Sequence, residues 1–384
     1  MSTMEIRDAY KARFGAESAV VSRAPGRLEI LGNHTDYNEG NVLSVAVDRY
    51  MQVAASPCDG RICRIWDEVL KEERVFSLDE LGAEHKVKGD WANYIKGVLV
   101  EFSKRGVAVP AFNAVLLGNV PLSAGMSSSA AFEMACGLAF AKLARVEIDW
   151  LEMARIGQGA ENNYIGAKTG LLDQFSSLKG QADSLVYSDF RACTAKSIPM
   201  PKGLTFVVVN CMVKHQLTNE YNERREACEN AVALIAQNHP QVKALRDVSS
   251  EMLEAERARL PKITYNRAAH VIGELERVSA CLACLEQGDV QRFGQLMFRS
   301  HESSRVLFEN SCEELDEIVD IAHTIPECLG ARLSGGGFGG ITVHLVRTEH
   351  AEGYASRVAE AYFVKSGRKA DTFVCAAADG AKLL

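Results

Sequence analysis

The spacing of apolar and polar residues predicts a first half built of strands with several helices between them. Short apolar and polar runs alternate between turns over residues 19–65, which is typical of several strands. The other elements predicted in this half are a helix over 91–106, a strand over 111–120, a small-residue helix over 127–144, a helix over 149–165, a helix from near Leu171 and a strand over 183–190.

The second half is predicted to contain longer helices between a few strands. The expected elements are a buried strand over 204–213, helices over 220–237, 266–287, 289–305 and 312–324, a strand over 341–346, a helix over 351–366 and a strand over 371–378. Strands and helices do not alternate strictly, which favours an α+β fold over a doubly wound parallel sheet. The proline-containing segment 198–203 predicts a boundary between domains over 1–198 and 199–384.

Length and charge narrow the class of protein. A chain of 384 residues is long enough for two domains, and its 47% apolar and 24% charged residues are ordinary for a soluble globular protein. The net charge of −7, without basic runs, argues against nucleic-acid binding. No apolar run is long enough to span a membrane, and the first residues lack a secretory signal. We therefore expect a cytoplasmic protein, and a monomer.

The cysteines and histidines do not indicate a structural metal site or disulfides. The eleven cysteines are an odd number in a chain without an export signal, so we expect reduced thiols. Cys281 and Cys284 form a lone C-x-x-C within a helix-like run, and no second pair completes a zinc site.

The first of three polar clusters is RAPGRLEILGNHTDYNEGN, residues 23–41. It is either an ordinary polar hairpin loop or a polyol site. Asp36 can accept from two neighbouring hydroxyls, His34 can donate or accept, and the glycines let the backbone approach a ligand.

The second cluster, GNVPLSAGMSSSAAFE, covers residues 118–133. A strand ends there, the chain turns, and three serines open a helix whose free N–H groups and dipole suit phosphate. A serine N-cap is the ordinary alternative, but three consecutive serines exceed what capping requires. A phosphate cradle is therefore favoured, although G-x-x-x-x-G-K-[ST] is absent from the chain.

The third cluster, ARLSGGGFGGITVHLV, covers residues 331–346. Gly335, Gly337 and Gly340 satisfy G-x-G-x-x-G by letter. That fingerprint should follow the first strand of a βαβ unit and open a helix, whereas this one precedes a strand. A tight glycine turn beside a ligand or a neighbouring backbone fits better than a dinucleotide site.

In this order, the three clusters resemble the motifs of the GHMP small-molecule kinases, and within them the galactokinase family. Further similar segments are WANYIKG, AENNYIGAKTGLLDQFSS, VKHQLTNEYNERR, RAAHVIGELERV and SHESSRVLFENSCEELD. The resemblance implies a two-domain α+β fold, with a ribosomal protein S5-like N-terminal domain, a ferredoxin-like C-terminal domain and an active site in the cleft between them. It also implies ATP- and Mg²⁺-dependent phosphorylation of the anomeric hydroxyl of galactose.

The resemblance assigns roles to individual residues. The catalytic base falls on Asp173 and the catalytic arginine on Arg27, which is expected to keep Asp173 ionised. The sugar-binding positions are Asn33, His34, Asp36 and Tyr221. The nucleotide positions are Gly125, Ser127, Ser128 and Ser129 for the phosphates and Trp91 and Tyr94 for the base, and Ser129 and Glu161 would hold Mg²⁺. Without the resemblance, Asp173 could be a helix N-cap or a surface carboxylate, and Arg27 could form a surface salt bridge. Tyr221 could serve packing alone, Trp91 and Tyr94 could be core aromatics, and Glu161 could be an exposed helix residue.

Two positions depart from the family pattern. The family usually has glutamate where this chain has Asn33, and that glutamate recognises a sugar hydroxyl away from the reacting carbon. Glu29 stands where asparagine is common, two residues from Arg27, with which it could pair. A kinase for N-acetylgalactosamine, arabinose or a uronic acid therefore stays as an alternative. A non-catalytic galactose and ATP sensor is a separate alternative, but the uninterrupted SSSAA run and the presence of Arg27 and Asp173 favour an enzyme.

Overall fold

The computed structural model describes residues 3–121, 125–213 and 218–384, and its strands form two sheets. The first sheet contains β1 (Val20–Leu31), β2 (Asn41–Pro57), β3 (Ile62–Asp67), β4 (Glu72–Ser77), β5 (Phe112–Gly118), β6 (Ser184–Asp189), β7 (Thr194–Pro199) and β12 (Lys382–Leu383). The second contains β8 (Leu204–Asn210), β9 (Cys328–Ser334), β10 (Ile341–Arg347) and β11 (Asp371–Cys375).

Eleven α-helices lie in the described ranges. They are α1 (Thr3–Phe14), α2 (Ala92–Lys104), α3 (Ser128–Ala144), α4 (Trp150–Gly159), α5 (Leu172–Lys179), α6 (Thr218–Ile235), α7 (Ser250–Ala255), α8 (Lys262–Gln287), α9 (Val290–Ser303), α10 (Glu313–Thr324) and α11 (Ala351–Ser366). Parts of two predicted motifs, residues 122–124 and 214–217, lie outside the described residues.

The first sheet carries the candidate site on its strand β1. The strand order is β12-β1-β2-β5-β3-β4, and β6 joins the beginning of the long strand β2 and pairs with β7. Helices α3 and α5 pack against β1, whose residues are all buried except the partly exposed Arg23. Because β1 is buried, its polar side chains Arg27 and Glu29 must find partners inside the protein.

The second sheet is antiparallel, with the order β11-β8-β10-β9. Helices α6 to α10 lie between β8 and β9 in the chain, and α11 connects β10 to β11. This order is the ferredoxin-like one that was expected, so the α+β class is confirmed. The sheets meet at β1, where the backbone N–H of Glu29 donates to Oγ of Ser334 at 2.9 Å.

The predicted elements are largely found, with differences at their ends. The helices predicted over 149–165 and 289–305 finish in π-helical turns, at Ala160–Ile165 and Ser304–Phe308. The elements that the sequence did not indicate are α1, β4, β7, α7, β9 and β12. Of these, β12 returns to the first sheet beside β1. The chain passes from the first sheet to the second in segment 198–203, because β7 ends at Pro199 and β8 begins at Leu204. The domain boundary between residues 198 and 199 stays a prediction.

All eleven cysteines are free thiols, as predicted. Across residues 3–121, 125–213 and 218–384, every helix is too short or too polar to cross a membrane.

Candidate active site

Most of the residues predicted to bind substrates line two cavities, whereas Gly125, Ser127 and Glu161 are in the wall of neither. The first cavity, of about 250 Å³, lies between the end of β1, the start of α5 and α6, and the glycine turn after β9; its walls include Arg27, Asn33, His34, Asp36, Asp173 and Tyr221. The second, of about 440 Å³, lies between α2 and α3; its walls include Trp91, Tyr94, Ser128 and Ser129.

Glu161 connects the walls of the two cavities. Its Oε1 accepts from Oγ of Ser129 at 2.9 Å, and its Oε2 accepts from Oγ1 of Thr169 at 2.7 Å. Ser129 belongs to the second cavity and Thr169 to the first. Sequence reasoning did not single out Thr169, although it lies in the AKTGLLDQ segment.

Arg27 and Asp173 form an ion pair in the wall of the first cavity. Nε and Nη2 of Arg27 lie 2.8 and 2.7 Å from the same oxygen, Oδ1 of Asp173, while Nη1 donates to the carbonyl of Gly125 at 2.6 Å. The side chain of Arg27 is 7% exposed and that of Asp173 is 24% exposed, so the carboxylate is the more accessible partner. Asp173 lies in the first turn of α5, where Leu171 is the N-cap, so the N-cap alternative is wrong.

Glu274 fixes the turn that carries Asn33 and His34. Its Oε2 accepts from the backbone N–H groups of Gly32 and Asn33 at 2.7 and 2.8 Å. Nε of Arg277 donates to its Oε1 at 2.6 Å. Burial alone would raise the pKa of Glu274, but the charges of Arg277 and Arg332, together with smaller contributions from other neighbours, outweigh it and hold the pKa below its ordinary value. At Gly32, φ is +99° and a Cβ atom would lie 2.5 Å from the carbonyl oxygen of Asn41, so only glycine fits.

Asp36 reaches the cavity beside Gly170. A Cβ atom at Gly170 would overlap Oδ2 of Asp36, so this glycine leaves room for the carboxylate. Burial raises the pKa of Asp36 to about 7, and the nearby carboxylates of Glu29 and Asp173 add to the rise. A ligand that donates hydroxyl hydrogens would stabilise the ionised form of Asp36.

His34 and Tyr221 form an aromatic side of the cavity. Their ring centroids lie 5.2 Å apart, and His34 also packs against Phe308 at 4.5 Å. Burial lowers the pKa of His34 to about 3, so the ring is neutral. Its Nδ1 lies 3.0 Å from the hydroxyl oxygen of Tyr37. A neutral ring with flanking aromatics suits a polar but uncharged ligand such as a sugar.

Asn33 and Glu29, the two positions that depart from the family pattern, touch each other. Nδ2 of Asn33 donates to Oε1 of Glu29 at 2.9 Å, and Nη1 of Arg332 lies 3.2 Å from the same oxygen. Glu29 therefore pairs with Arg332 rather than with Arg27. Burial raises the pKa of Glu29, and Arg332 opposes the rise. The predicted sugar contact of Asn33 stays a prediction.

The start of α3 leaves polar groups available for phosphate. Ser127 occupies the N-cap position with φ of +53°, and its side chain makes no capping hydrogen bond, so the ordinary N-cap alternative does not hold. Its hydroxyl oxygen is buried without a partner within the described part of the chain. Ser128 and Ser129 form the first turn of the helix, and Gly125 is anchored by Arg27. These groups match the donor set that a polyphosphate requires.

Oxygen atoms around Glu161 have the chemistry that Mg²⁺ prefers. Oε1 of the nearby Glu133 is buried with no hydrogen-bond partner among the described residues. Burial raises the pKa of both Glu133 and Glu161, and each is raised further by another carboxylate. No group of three metal-binding side chains occurs within the described ranges. Mg²⁺ is usually held by one or two carboxylates together with substrate phosphates.

Comparisons with known proteins give a consistent result. The galactokinase galactose-binding signature matches residues 8–57, the N-terminal domain of GHMP kinases matches 93–181, and the C-terminal domain of GHMP kinases matches 281–364. The galactokinase of Roseiflexus sp. (strain RS-1) is 38% identical over 381 residues, which are 99% of this chain and 97% of that protein. The galactokinase of Chloroflexus aggregans is 38% identical over 373 residues, which are 97% of this chain and 95% of that protein.

Comparison with solved structures agrees with the sequence comparisons. Lactococcus lactis galactokinase complexed with galactose has a TM-score of 0.92 at 27% identity, covering 98% of each chain. A mevalonate kinase, at 18% identity and a TM-score of 0.66, covers 94% of this chain and 100% of its own, and shows a shared fold alone.

Proposed function

The chain belongs to the galactokinase family of GHMP kinases, and we propose that it transfers the γ-phosphoryl group of ATP to the anomeric hydroxyl of galactose. The observation that carries this proposal is the Arg27–Asp173 ion pair, which lies in the cavity lined by the sugar motif. The cavity with the two predicted nucleotide aromatics is linked to it through Glu161. Acceptor and donor sites are thus adjacent, as direct phosphoryl transfer requires.

Asp173 is proposed as the base. Only its Oδ1 is bonded to Arg27, so Oδ2 is left to accept the proton of the sugar's C1 hydroxyl. The C1 oxygen forms a bond to the γ-phosphorus as the bond from that phosphorus to the bridging oxygen of ADP breaks. The proton passes to Asp173 and ADP leaves. The guanidinium of Arg27 counters the negative charge on the transferring group.

Sugar binding is proposed to involve His34, Asp36 and Tyr221. The carboxylate of Asp36 can accept from two neighbouring hydroxyls, while the neutral ring of His34 and the hydroxyl of Tyr221 supply further polar contacts. The nearly complete burial of His34, which is 4% exposed, keeps water from competing for these bonds.

The nucleotide is proposed to occupy the second cavity. Trp91 and Tyr94 would contact the base, while Gly125, Ser127 and Ser128 would line the phosphates. Ser129 and Glu161 would hold Mg²⁺, which when bound neutralises phosphate charge. The support is the hydrogen bond between Ser129 and Glu161 and the unpartnered hydroxyl of Ser127.

The function is tested by sugar-dependent ADP release. The sugars are galactose, N-acetylgalactosamine, arabinose and galacturonic acid, and ³¹P NMR identifies the 1-phosphate. Galactose should be the best substrate, and Asp173→Asn should lower kcat by about 100- to 10,000-fold while the fold is kept. A poor rate with galactose beside a good rate with another sugar would overturn the assignment. Binding of ATP and galactose without ADP release would indicate a sensor.

We also propose that the protein is a cytoplasmic monomer with no nucleic-acid or membrane partner, on the basis of its mildly acidic charge without basic runs. Size-exclusion chromatography with light scattering and cell fractionation test these expectations.

A further inference from the structure

We infer that Glu29, rather than Asn33, binds a sugar hydroxyl remote from the reacting carbon, and that it is a specificity-determining residue of this site. The inference rests on the proposed function, because it concerns the sugar held in the same cavity. It assigns to Glu29 a role that its position in the sequence did not reveal.

The amide of Asn33 has its hydrogen-bonding capacity already used by protein groups. Nδ2 donates to Oε1 of Glu29 and to the carbonyl of Gly335, both at 2.9 Å. Oδ1 accepts from Nδ2 of Asn310 at 3.0 Å and from Oγ of Ser304 at 3.4 Å. A primary amide has two N–H donors and one oxygen with two lone pairs. To bind a sugar, Asn33 would have to give up one of these four bonds.

Glu29, in contrast to Asn33, has a side-chain oxygen that is available to a ligand. Its Oε1 receives bonds from Asn33 and Arg332, whereas Oε2 has no hydrogen-bond partner among the residues that the structure describes. The residue is 3% exposed, yet it forms part of the cavity wall. Because Glu29 belongs to the cavity wall, a ligand that supplies an O–H group to this oxygen gains a charge-assisted hydrogen bond.

The surroundings of Glu29 fix where this oxygen lies. Arg332 on β9 is fully buried, carries a permanent charge and holds Oε1. The backbone N–H of Glu29 is bonded to Oγ of Ser334 on the same strand. The carboxylate is therefore held between the two sheets, and a hydroxyl that meets it needs no reorganisation of the protein.

The two departures from the family pattern are thereby explained as one change. Positions 29 and 33 are in contact, and the usual asparagine and glutamate are exchanged between them in this chain. The pair retains one carboxylate and one amide. The carboxylate that can reach the sugar now comes from β1, and the amide serves to hold the turn.

The test compares galactose with its 2-, 3-, 4- and 6-deoxy analogues in wild type and Glu29→Gln. In wild type, one analogue should lose about 10- to 100-fold in kcat/KM because it leaves Glu29 unpaired. In Glu29→Gln, kcat/KM for galactose should fall by a similar factor, mainly through KM, and the penalty on that one analogue should shrink to within about threefold. The other analogues should keep their wild-type penalties.

Glu256→Gln is the matched control. Glu256 is also buried and also bonded to an asparagine and an arginine, Asn238 and Arg259, but it lies outside the two cavities. It should leave every analogue penalty unchanged. If Glu29→Gln does not fold, Glu29→Asp keeps the charge for Arg332, withdraws the carboxylate by one methylene and should show the same selective loss.

The inference is overturned if wild type phosphorylates galactose normally and all four analogue penalties are the same in the folded Glu29 variant. Failure of wild type to phosphorylate galactose would instead overturn the proposed function, so the two failures can be told apart.

Discussion

Replacing Glu274 with glutamine is expected to destabilise the protein and to loosen the sugar-binding turn. The carboxylate is fully buried and accepts three hydrogen bonds, two from the backbone N–H groups of Gly32 and Asn33 and one from Arg277. Glutamine has only one acceptor oxygen. Its NH₂ group would therefore have to face either the two backbone N–H groups or the guanidinium of Arg277, which are themselves donors. Glu274→Gln therefore loses at least one hydrogen bond to a charged group, worth about 1.5–3 kcal/mol.

The unpaired arginine adds to this cost. Removing one partner of a buried ion pair costs about 3–5 kcal/mol, but Arg277 is 17% exposed and can regain some water. We expect the free energy of unfolding to fall by about 3 kcal/mol at neutral pH. Equilibrium urea unfolding followed by tryptophan fluorescence measures the change, and KM for galactose should rise because the turn is less well held.

The dependence on pH separates this explanation from a general packing defect. Since the pKa of Glu274 is lowered in the folded state, its ionisation contributes stability above the unfolded pKa of about 4.5, and this contribution is lost as the pH falls further. The difference between wild type and Glu274→Gln should thus be full at neutral pH and shrink below about pH 4.5.

Glu276→Gln, on an exposed position of the same helix, is the control and should change stability by less than about 0.5 kcal/mol. The reasoning would be refuted if Glu274→Gln unfolded at the same urea concentration as this control, or if its deficit did not vary with pH.

Three further predictions concern the sugar and metal contacts. First, kcat/KM for galactose should fall as the pH is lowered through about 7, because protonated Asp36 can no longer accept hydrogen bonds from two hydroxyls. Asp36→Asn should abolish this pH-dependent fall, and a flat wild-type profile from about pH 6 to 8 would contradict the prediction. Second, Gly170→Ala should raise KM for galactose by about tenfold by displacing the Asp36 carboxylate, with little change in Tm; an unchanged KM would show that Asp36 does not need this space. Third, Glu161→Gln should raise the Mg²⁺ concentration that gives half-maximal rate by about tenfold or more. The rate is measured as ADP release while Mg²⁺ is titrated. The same Mg²⁺ dependence as wild type would exclude Glu161 as a ligand.

Local patterns in the sequence accounted for most elements of the fold. Apolar periodicity located the helices, because a helix that packs on a sheet must repeat its apolar residues with the helical period. It did not indicate α1, which buries only the side chains of Ile6 and Tyr10. The strand β12 has only two residues and forms because β1 offers a free edge at Ser22 and Arg23.

The sequence by itself determined which side chains could do the chemistry, since Arg27, Asp36, the serine run and Asp173 stand in motifs whose order and residue types are distinctive. Tertiary structure alone decided which of them touch. Glu29 and Arg27 are two residues apart on one strand, yet Arg27 pairs with Asp173 and Glu29 with Arg332, residues 146 and 303 positions away. Which buried charges pair depends on which elements pack against β1. That packing arises from contacts between residues far apart in the sequence, and a local sequence pattern does not contain them.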